Sequence, residues 1–512
     1  MGQPNFLFIM VDQLAAPALA PYGDKMVKAP AIDRLANEGV VFENAYCNFP
    51  ICGPSRASLH TGKLPFSIGM FDNASEFMAS IPTFAHYLRG LGYRVELSGK
   101  MHFVGPDQFH GYQSRHTTEI YPANFAWSVD WSKGREFRPT NLTMAPVIES
   151  GPCIRTLQMD YDDEVAYNGI QAIYDLARRG SDDPWMLTVS FTHPHSPFVI
   201  SEEFWNLYDH EKIPLPTVPP LAIDEMDHLS RNLHFCQGRH EFTVTDAHRK
   251  NAKHAYYGMI SYIDSKIEAL RDALIKTGMG DDTIIVFAAD HGEMMGERGM
   301  WYKQHFFEWS ARIPLIFHAP SRWKHNRISK NCSLVDIMPT LLDLANSSPF
   351  AEYANSIDGH SLVNALHGDT SSMSDTVISE FAADGSTGPS RMVKRGNLKY
   401  MDLEGEDFLL YDLSKDPREL KNLANDAALK NERHALAAIC EADWDRKAMY
   451  NLIFEDQRRR LKVHESTGGD QTYVNIVRYN DDKRYIRNAG AADTKARARL
   501  PFVPPAKPDT KN

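Results

Sequence analysis

Four short apolar runs, each broken at once by polar residues, dominate the hydrophobic pattern of the chain. Phe6-Leu7-Phe8-Ile9-Met10-Val11 stops at Asp12-Gln13, and Val95 to Ser98 stops at Gly99-Lys100-Met101-His102. Met186 to Phe191 stops at Thr192-His193-Pro194-His195, and Thr283 to Ala289 stops at Asp290-His291-Gly292-Glu293. The apolarity is continuous rather than alternating, which predicts parallel strands covered on both faces. Helical spacing lies between the runs. The clearest case extends from about Lys253 to Thr277, with Tyr256, Met259, Ile260, Ile263, Ile267, Leu270 and Leu274 on one face and Gly278 and Gly280 as the stop. Strand–helix alternation predicts an α/β sandwich with a large, mostly parallel sheet. Ligands of such sheets bind beyond the carboxyl ends of the strands. Strand ends that carry Asp, Gln, Lys and His therefore point to one shared site.

After about Asp375 the pattern changes. Leu398 to Met401 and Phe408 to Leu413 read as neighbouring strands. The expected organisation is a catalytic α/β domain over 1–375, a small α+β domain over 376–460 and an extended tail over 461–512. The tail is polar and basic and ends Pro-rich, which fits a solvated segment or an arm packed on another subunit of a dimer or tetramer.

Composition narrows the partners. The chain has 512 residues, 43% hydrophobic and 24% charged, with a net charge of −11. The acidic balance disfavours nucleic acid and anionic membrane as partners. No run reaches the roughly 18–20 apolar residues of a spanning helix, and the first residues lack a basic leader pattern. The six cysteines are dispersed with no C-x-x-C pair, which predicts neither a zinc site nor a disulfide framework and fits a reduced, cytoplasmic protein.

The polar strand ends suggest chemistry. Asp12, Gln13, Asp290 and His291 offer two carboxylates, an amide oxygen and an imidazole, a set suited to one divalent cation such as Ca²⁺ or Mn²⁺. Cys52-Gly53-Pro54-Ser55-Arg56 precedes a short helix ending at Gly62. That placement aims backbone N–H groups and the positive end of the helix dipole at position 52. Arg56, one turn on, is a forked donor for an anion. Lys100, His102, His195 and Lys303 are cations or proton carriers able to meet the oxygens of a sulfate or phosphate ester.

These motifs resemble the type I sulfatases of the alkaline phosphatase superfamily, and among them the choline sulfatase group. The resemblance is carried by Val11-Asp12-Gln13, Cys52-Gly53-Pro54-Ser55-Arg56, Asp72-Asn73-Ala74, Ser98 to His102 into Val104 to Gln108, Ile120-Tyr121-Pro122-Ala123, Tyr161 to Glu164, Thr192 to His195, and Asp290 to Glu293 with Gly296 to Gly299. It implies that a maturation enzyme converts Cys52 to formylglycine, whose hydrate attacks the sulfur of a small sulfate ester. Asp12, Gln13, Asp290 and His291 would hold the cation beside residue 52, with Asp290 as the base. Arg56 would stabilise the nucleophile. Lys100, His195 and Lys303 would bind the sulfate, and His102 would take the proton that releases it. The resemblance also implies a cage for a quaternary ammonium from Trp127 and Glu380, with Asn73 near the ester and Asp493 reaching a neighbouring subunit. The stretch from Lys133 to Asn141 departs from the group's pattern: Arg135 and Arg138 stand where an aromatic, His/Asn-rich loop is expected, and arginines near a cation site argue against choline. Phosphonate monoester, phosphodiester and aryl sulfate hydrolysis are the competing activities, and Lys100 weighs against the first two. A non-catalytic metal-binding scaffold is disfavoured by the intact Cys52, Arg56, Lys100, His102 and Lys303.

Overall fold

The computed structural model describes residues 2–180, 183–346, 349–468, 476–478, 481–487 and 499–509. Eight strands form the main sheet: β1 (Asn5–Val11), β2 (Val40–Tyr46), β3 (Arg94–Gly99), β4 (Ser114–Arg115), β5 (Trp185–Phe191), β6 (Thr283–Ala289), β7 (Arg312–His318) and β8 (Asn326–Ser333). Their order is β8-β2-β7-β6-β1-β5-β3-β4. Only β7 runs against its neighbours, pairing antiparallel with both β2 and β6. All four apolar runs become strands. β1, β5 and β6 lie side by side at the centre and are buried almost throughout, as two-sided coverage requires.

The register of these strands builds the site. Val11 pairs with both Phe191 and Ala289, and Gly99 pairs with Ser190. The residues that follow, Asp12, Thr192, Asp290 and Lys100, therefore emerge at one edge of the sheet. Gly99 is required there: its φ is +112°, and a Cβ would lie 1.9 Å from the Ser190 carbonyl oxygen.

Helices α2 (Leu157–Arg178) and α3 (Asp246–Lys276) pack together, α2 resting on β3 and β5. α3 starts seven residues before the apolar periodicity, because Thr245 caps it by accepting from the His248 N–H. Helix α1 (Cys52–Thr61) packs with Phe84–Gly90 and Ile337–Asn346 in a second helical group. A smaller antiparallel meander follows: β9 (Thr376–Phe381), β10 (Ser390–Arg395), β11 (Leu398–Leu403) and β12 (Asp407–Asp412). The sequence pattern marks only the last two, since β9 and β10 carry charged side chains that find buried partners. Helix α4 (Arg446–Ser466) runs across the boundary expected at 460. Short stretches of the described tail pack on the chain itself: Tyr485, Ile486 and Arg487 are buried, and Arg499–Leu500 pairs with Arg155–Thr156, while residues such as Phe502 are exposed. No described helix is long and apolar enough to cross a membrane.

Candidate active site

Cys52 is the first residue of α1 rather than the residue before it; extended Ile51 is the cap. It is 1% exposed. The next N–H, on Gly53, donates to Asn73 Oδ1 at 2.9 Å. Gly62, at φ +64°, ends the helix.

Arg56 lies one turn along, fully buried. Its Nε donates to Asp290 Oδ2 at 2.8 Å, and one terminal nitrogen donates to the Lys100 carbonyl at 2.8 Å and to Ser190 Oγ at 2.9 Å. The other terminal nitrogen has no partner among the described residues, so a donor is left over for a group the chain does not supply.

Around Cys52, Asp12, Asp290 and His291 converge so that one ligand atom from each lies within 4.8 Å of the others. His291 Nδ1 is 3.0 Å from the Gly292 carbonyl, which places the proton there and turns Nε2 inward. Nε2 lies 3.2 Å from Cys52 Sγ, 3.6 Å from Asp12 Oδ1 and 3.7 Å from Asp290 Oδ1. Nε2 facing two carboxylates calls for positive charge between them, supplied by a ring proton or by a bound cation, and the donor set fits the latter. Burial opposes charge on His291, but Asp290 and Cys52 outweigh it and raise its pKa. Burial likewise opposes the Asp12 charge, and Lys100 and Arg56 overcome it, holding the carboxyl well below the usual range. Asp12 Oδ2 accepts from Lys100 Nζ, leaving Oδ1 for the cage. Gln13 follows with its amide oxygen 2.5 Å from Lys303 Nζ.

Lys303 Nζ is also 2.9 Å from His195 Nε2 and 3.8 Å from Cys52 Sγ. His195 Nδ1 is 2.6 Å from the Ser196 carbonyl. Burial, then Lys303, Arg487 and Lys100, hold His195 well below the ordinary imidazole pKa, so it is neutral. His193, by contrast, is tied to Asp162 at 2.6 Å and has a structural role. Burial and Asp12 push the Cys52 thiol up, but Lys100, Lys303 and His291 prevail and lower it: this position stabilises an anion. His102 Nε2 lies 3.1 Å from the Asn73 carbonyl, which fixes it as the donor and leaves Nδ1 with a free lone pair. The ring stacks on Tyr121 at 4.4 Å.

A cavity of about 60 Å³ opens beside Cys52, walled by Asn73, Tyr121, Trp127, His195, Lys303 and Asp384 among others. Asn73 and Trp127 are among the lining residues, while Lys100 and His102 lie against the Tyr121 ring. Two expectations fail. Glu380 is not in the wall: it is buried in β9, its cross-strand neighbour Arg391 holds it at 2.6 Å, and the Phe66 N–H donates to its other oxygen. The arginines of the 133–141 stretch also turn away. Arg138 forks onto Glu241, and Arg135 lies over the Phe235 ring, 4.3 Å from its centroid. From this region only Thr140 and Leu142 reach the wall. Asp493 lies outside the described residues.

Sequence reasoning missed Asp384, Arg487 and Tyr121. Asp384 stands past the end of β9, four residues after Glu380, in the same segment; burial and Asp72 push its carboxyl up to about 7. Arg487, from the tail, lines the cavity and donates to Tyr121 Oη at 2.7 Å and Gln158 Oε1 at 3.2 Å. Tyr121 lay inside a recognised motif, but only the fold shows its ring stacked on His102 with Lys100 Nζ 4.1 Å from its centroid.

A largely parallel α/β sheet with a buried cluster of Cys, Asp and His beyond its strand ends is the architecture of a hydrolase of the alkaline phosphatase superfamily. The chain belongs to the sulfatase family and is a sulfuric ester hydrolase: the sulfatase profile matches residues 4–347, and that of the N-sulphoglucosamine sulphohydrolase C-terminal region matches 296–455. A choline-sulfatase of Rhizobium meliloti is 39% identical over 502 residues, 96% of this chain and 97% of the relative. An arylsulfatase of Clostridium perfringens is 30% identical over 85% of this chain and 93% of its own length. Among solved structures, the phosphonate monoester hydrolase of Agrobacterium radiobacter superposes with a TM-score of 0.68 at 25% identity, covering 85% of this chain and 94% of that one.

Proposed function

We propose that this protein hydrolyses an alkyl sulfate ester whose alcohol carries a quaternary ammonium, choline sulfate in particular, with residue 52 matured to formylglycine. The observation that carries this reading is the single cavity in which Cys52, Lys303 and His195 share a wall with the Trp127 indole and the Asp384 carboxyl. A sulfate ester needs the first group, and a quaternary ammonium needs an aromatic face and a carboxylate. With the two arginines of the 133–141 stretch paired elsewhere, that part of the objection to choline lapses.

Asp12, Gln13, Asp290 and His291 would hold a divalent cation, Ca²⁺ or Mn²⁺, which when bound favours deprotonation at residue 52 and offsets charge on the sulfuryl oxygens. A hydroxyl of the hydrated aldehyde displaces the alcohol at sulfur, Asp290 taking its proton. Arg56, with one terminal nitrogen unpartnered among the described residues, would supply a donor to the oxygen of residue 52. Lys303 carries the proton nearest the departing alcohol, and neutral His195 orients that ammonium. His102, with Nδ1 free, accepts the proton of the second hydroxyl; the carbonyl re-forms and sulfate leaves.

The test compares release of sulfate from choline sulfate and an aryl sulfate, and of phosphonate from a monoester, with Cys52→Ala as control. Turnover of choline sulfate at least tenfold above the others is expected. Activity confined to the phosphonate or aryl substrate rejects the substrate assignment. An unaltered thiol at residue 52 in active material, read by peptide mass spectrometry, rejects the nucleophile.

A further inference from the structure

We propose that Glu293 is a positioning residue that sets the orientation of the Gln13 amide, so that a glutamine can serve as an oxygen ligand of the cation. The inference rests on the assignment of Gln13 to the cage. A primary amide has an acceptor end and a donor end of nearly the same shape. Turned by half a rotation, Gln13 would present two N–H bonds to the cage and exclude a cation. A carboxylate at this position would carry no such risk.

The surroundings of Gln13 permit only one orientation. On one side stands the Lys303 ammonium, which can only donate, 2.5 Å from Oε1. On the other side stands Glu293. Its Oε1 is filled by the Met295 N–H at 2.9 Å and the Tyr302 N–H at 2.6 Å. Its Oε2 accepts from Gln13 Nε2. The amide is thus held between a donor and an acceptor, and only the observed orientation satisfies both. The Gln13 backbone is equally fixed. Its φ is +65°, its N–H donates to Asp290 Oδ1 at 3.0 Å, and its carbonyl accepts from Tyr256 Oη at 2.7 Å. Gln13 and Glu293 are both 0% exposed, so no bulk water competes for either end of the amide.

The isosteric change Glu293→Gln makes a directional prediction. The Met295 and Tyr302 N–H groups hold a carbonyl oxygen in place, so the new amide must turn its NH₂ toward Gln13. Gln13 then meets a donor where it had an acceptor, and the pressure is to flip its own NH₂ into the cage. Partners that orient metal ligands typically govern about 10–100-fold in affinity.

The experiment titrates Mn²⁺ and Ca²⁺ calorimetrically into full-length protein stripped with chelator: wild type, E293Q, Q13D and Q13D/E293Q. E293Q should weaken binding at least tenfold with its metal-free unfolding midpoint unchanged. Q13D/E293Q should bind no more weakly than Q13D, since a carboxylate at 13 has no wrong way round and the amide at 293 removes the repulsion between two carboxylates; this pair supplies the comparison even if E293Q alone does not accumulate. Wild-type affinity in E293Q, or an equal loss in both backgrounds, overturns the proposal. Absence of Mn²⁺ and Ca²⁺ binding by the wild type would instead overturn the cage assignment beneath it.

Discussion

Arg460, on α4, grips Asp72 with both ends of its guanidinium, at 2.9 and 2.8 Å, and the pair is buried. Asp72 precedes Asn73, whose side chain accepts from the Gly53 N–H and whose carbonyl meets His102. Helix α4 therefore holds the loop that lies against Cys52 and Gly53. Removing one partner of a buried ion pair strands the other charge and typically costs about 3–5 kcal/mol. Arg460→Leu should lower the denaturation midpoint of the full chain accordingly. It should also reduce kcat/KM by more than tenfold at temperatures where the protein stays folded. Asp72→Asn, which keeps a hydrogen-bonding partner for Arg460, should cost less in both measurements.

Asp384 predicts a pH dependence. Burial and Asp72 disfavour its charge and push its carboxyl up to about 7. A quaternary ammonium is held by the ionised form, so the attraction is full above that pKa and is lost as pH falls through it. KM for choline sulfate should therefore fall as pH rises from 6 to 8. Asp384→Asn should raise KM by about 10-fold or more, on the order of 1.4 kcal/mol per factor of ten, and flatten the profile. An aryl sulfate, which has no positive charge on its alcohol part, should show neither effect in steady-state assays.

How much of this was legible in the chain depends on whether chemistry sat at a strand end. Asp12, Lys100 and Asp290 were readable because an apolar run must stop where its strand leaves the core, and a polar residue there stands at the rim of the sheet. Cys52, Gly53 and Arg56 were readable because their spacing is local to one helix. Glu380 was misplaced because a single sequence does not show that Arg391 stands across the ladder from it. Asp384, four residues on, reaches the cavity only because the strand has ended. Arg487 had no signal at all: it belongs to a basic tail, and a docked arginine in such a stretch looks the same as a solvated one.

Arg487 should affect binding more than chemistry. Its guanidinium is 5% exposed, donates to Tyr121 Oη and lies 4.8 Å from that ring's centroid. Tyr121 in turn backs Lys100 and His102. Arg487→Gln keeps a donor but removes a positive charge from the cavity wall. KM for sulfate esters should rise about 5–10-fold, near the 1.4 kcal/mol that corresponds to a factor of ten, with kcat falling less. Initial-rate measurements on purified variant and wild type decide the split.

Cation removal should register in stability as well as in turnover. Asp12 and Asp290 are fully buried beside His291 Nε2, and Lys100 and Arg56 each engage only one oxygen of the nearer carboxylate. Asp12 Oδ1 is left for the bound ion, while Asp290 Oδ1 also accepts the Gln13 and His291 backbone N–H groups, each at 3.0 Å. A ligand at 100 times its Kd stabilises the folded state by about 2.7 kcal/mol. Excess chelator should accordingly lower the thermal midpoint, and Ca²⁺ or Mn²⁺ should restore it. His291→Ala should abolish the response to added metal, since it deletes the one nitrogen ligand and leaves its two carboxylate neighbours without the imidazole between them. Lys100→Met should enlarge the response, because Asp12 then has no protein cation on Oδ2 and depends more on the ion. Thermal melts of the three proteins with and without metal would show the order Lys100→Met, wild type, His291→Ala in the size of the shift.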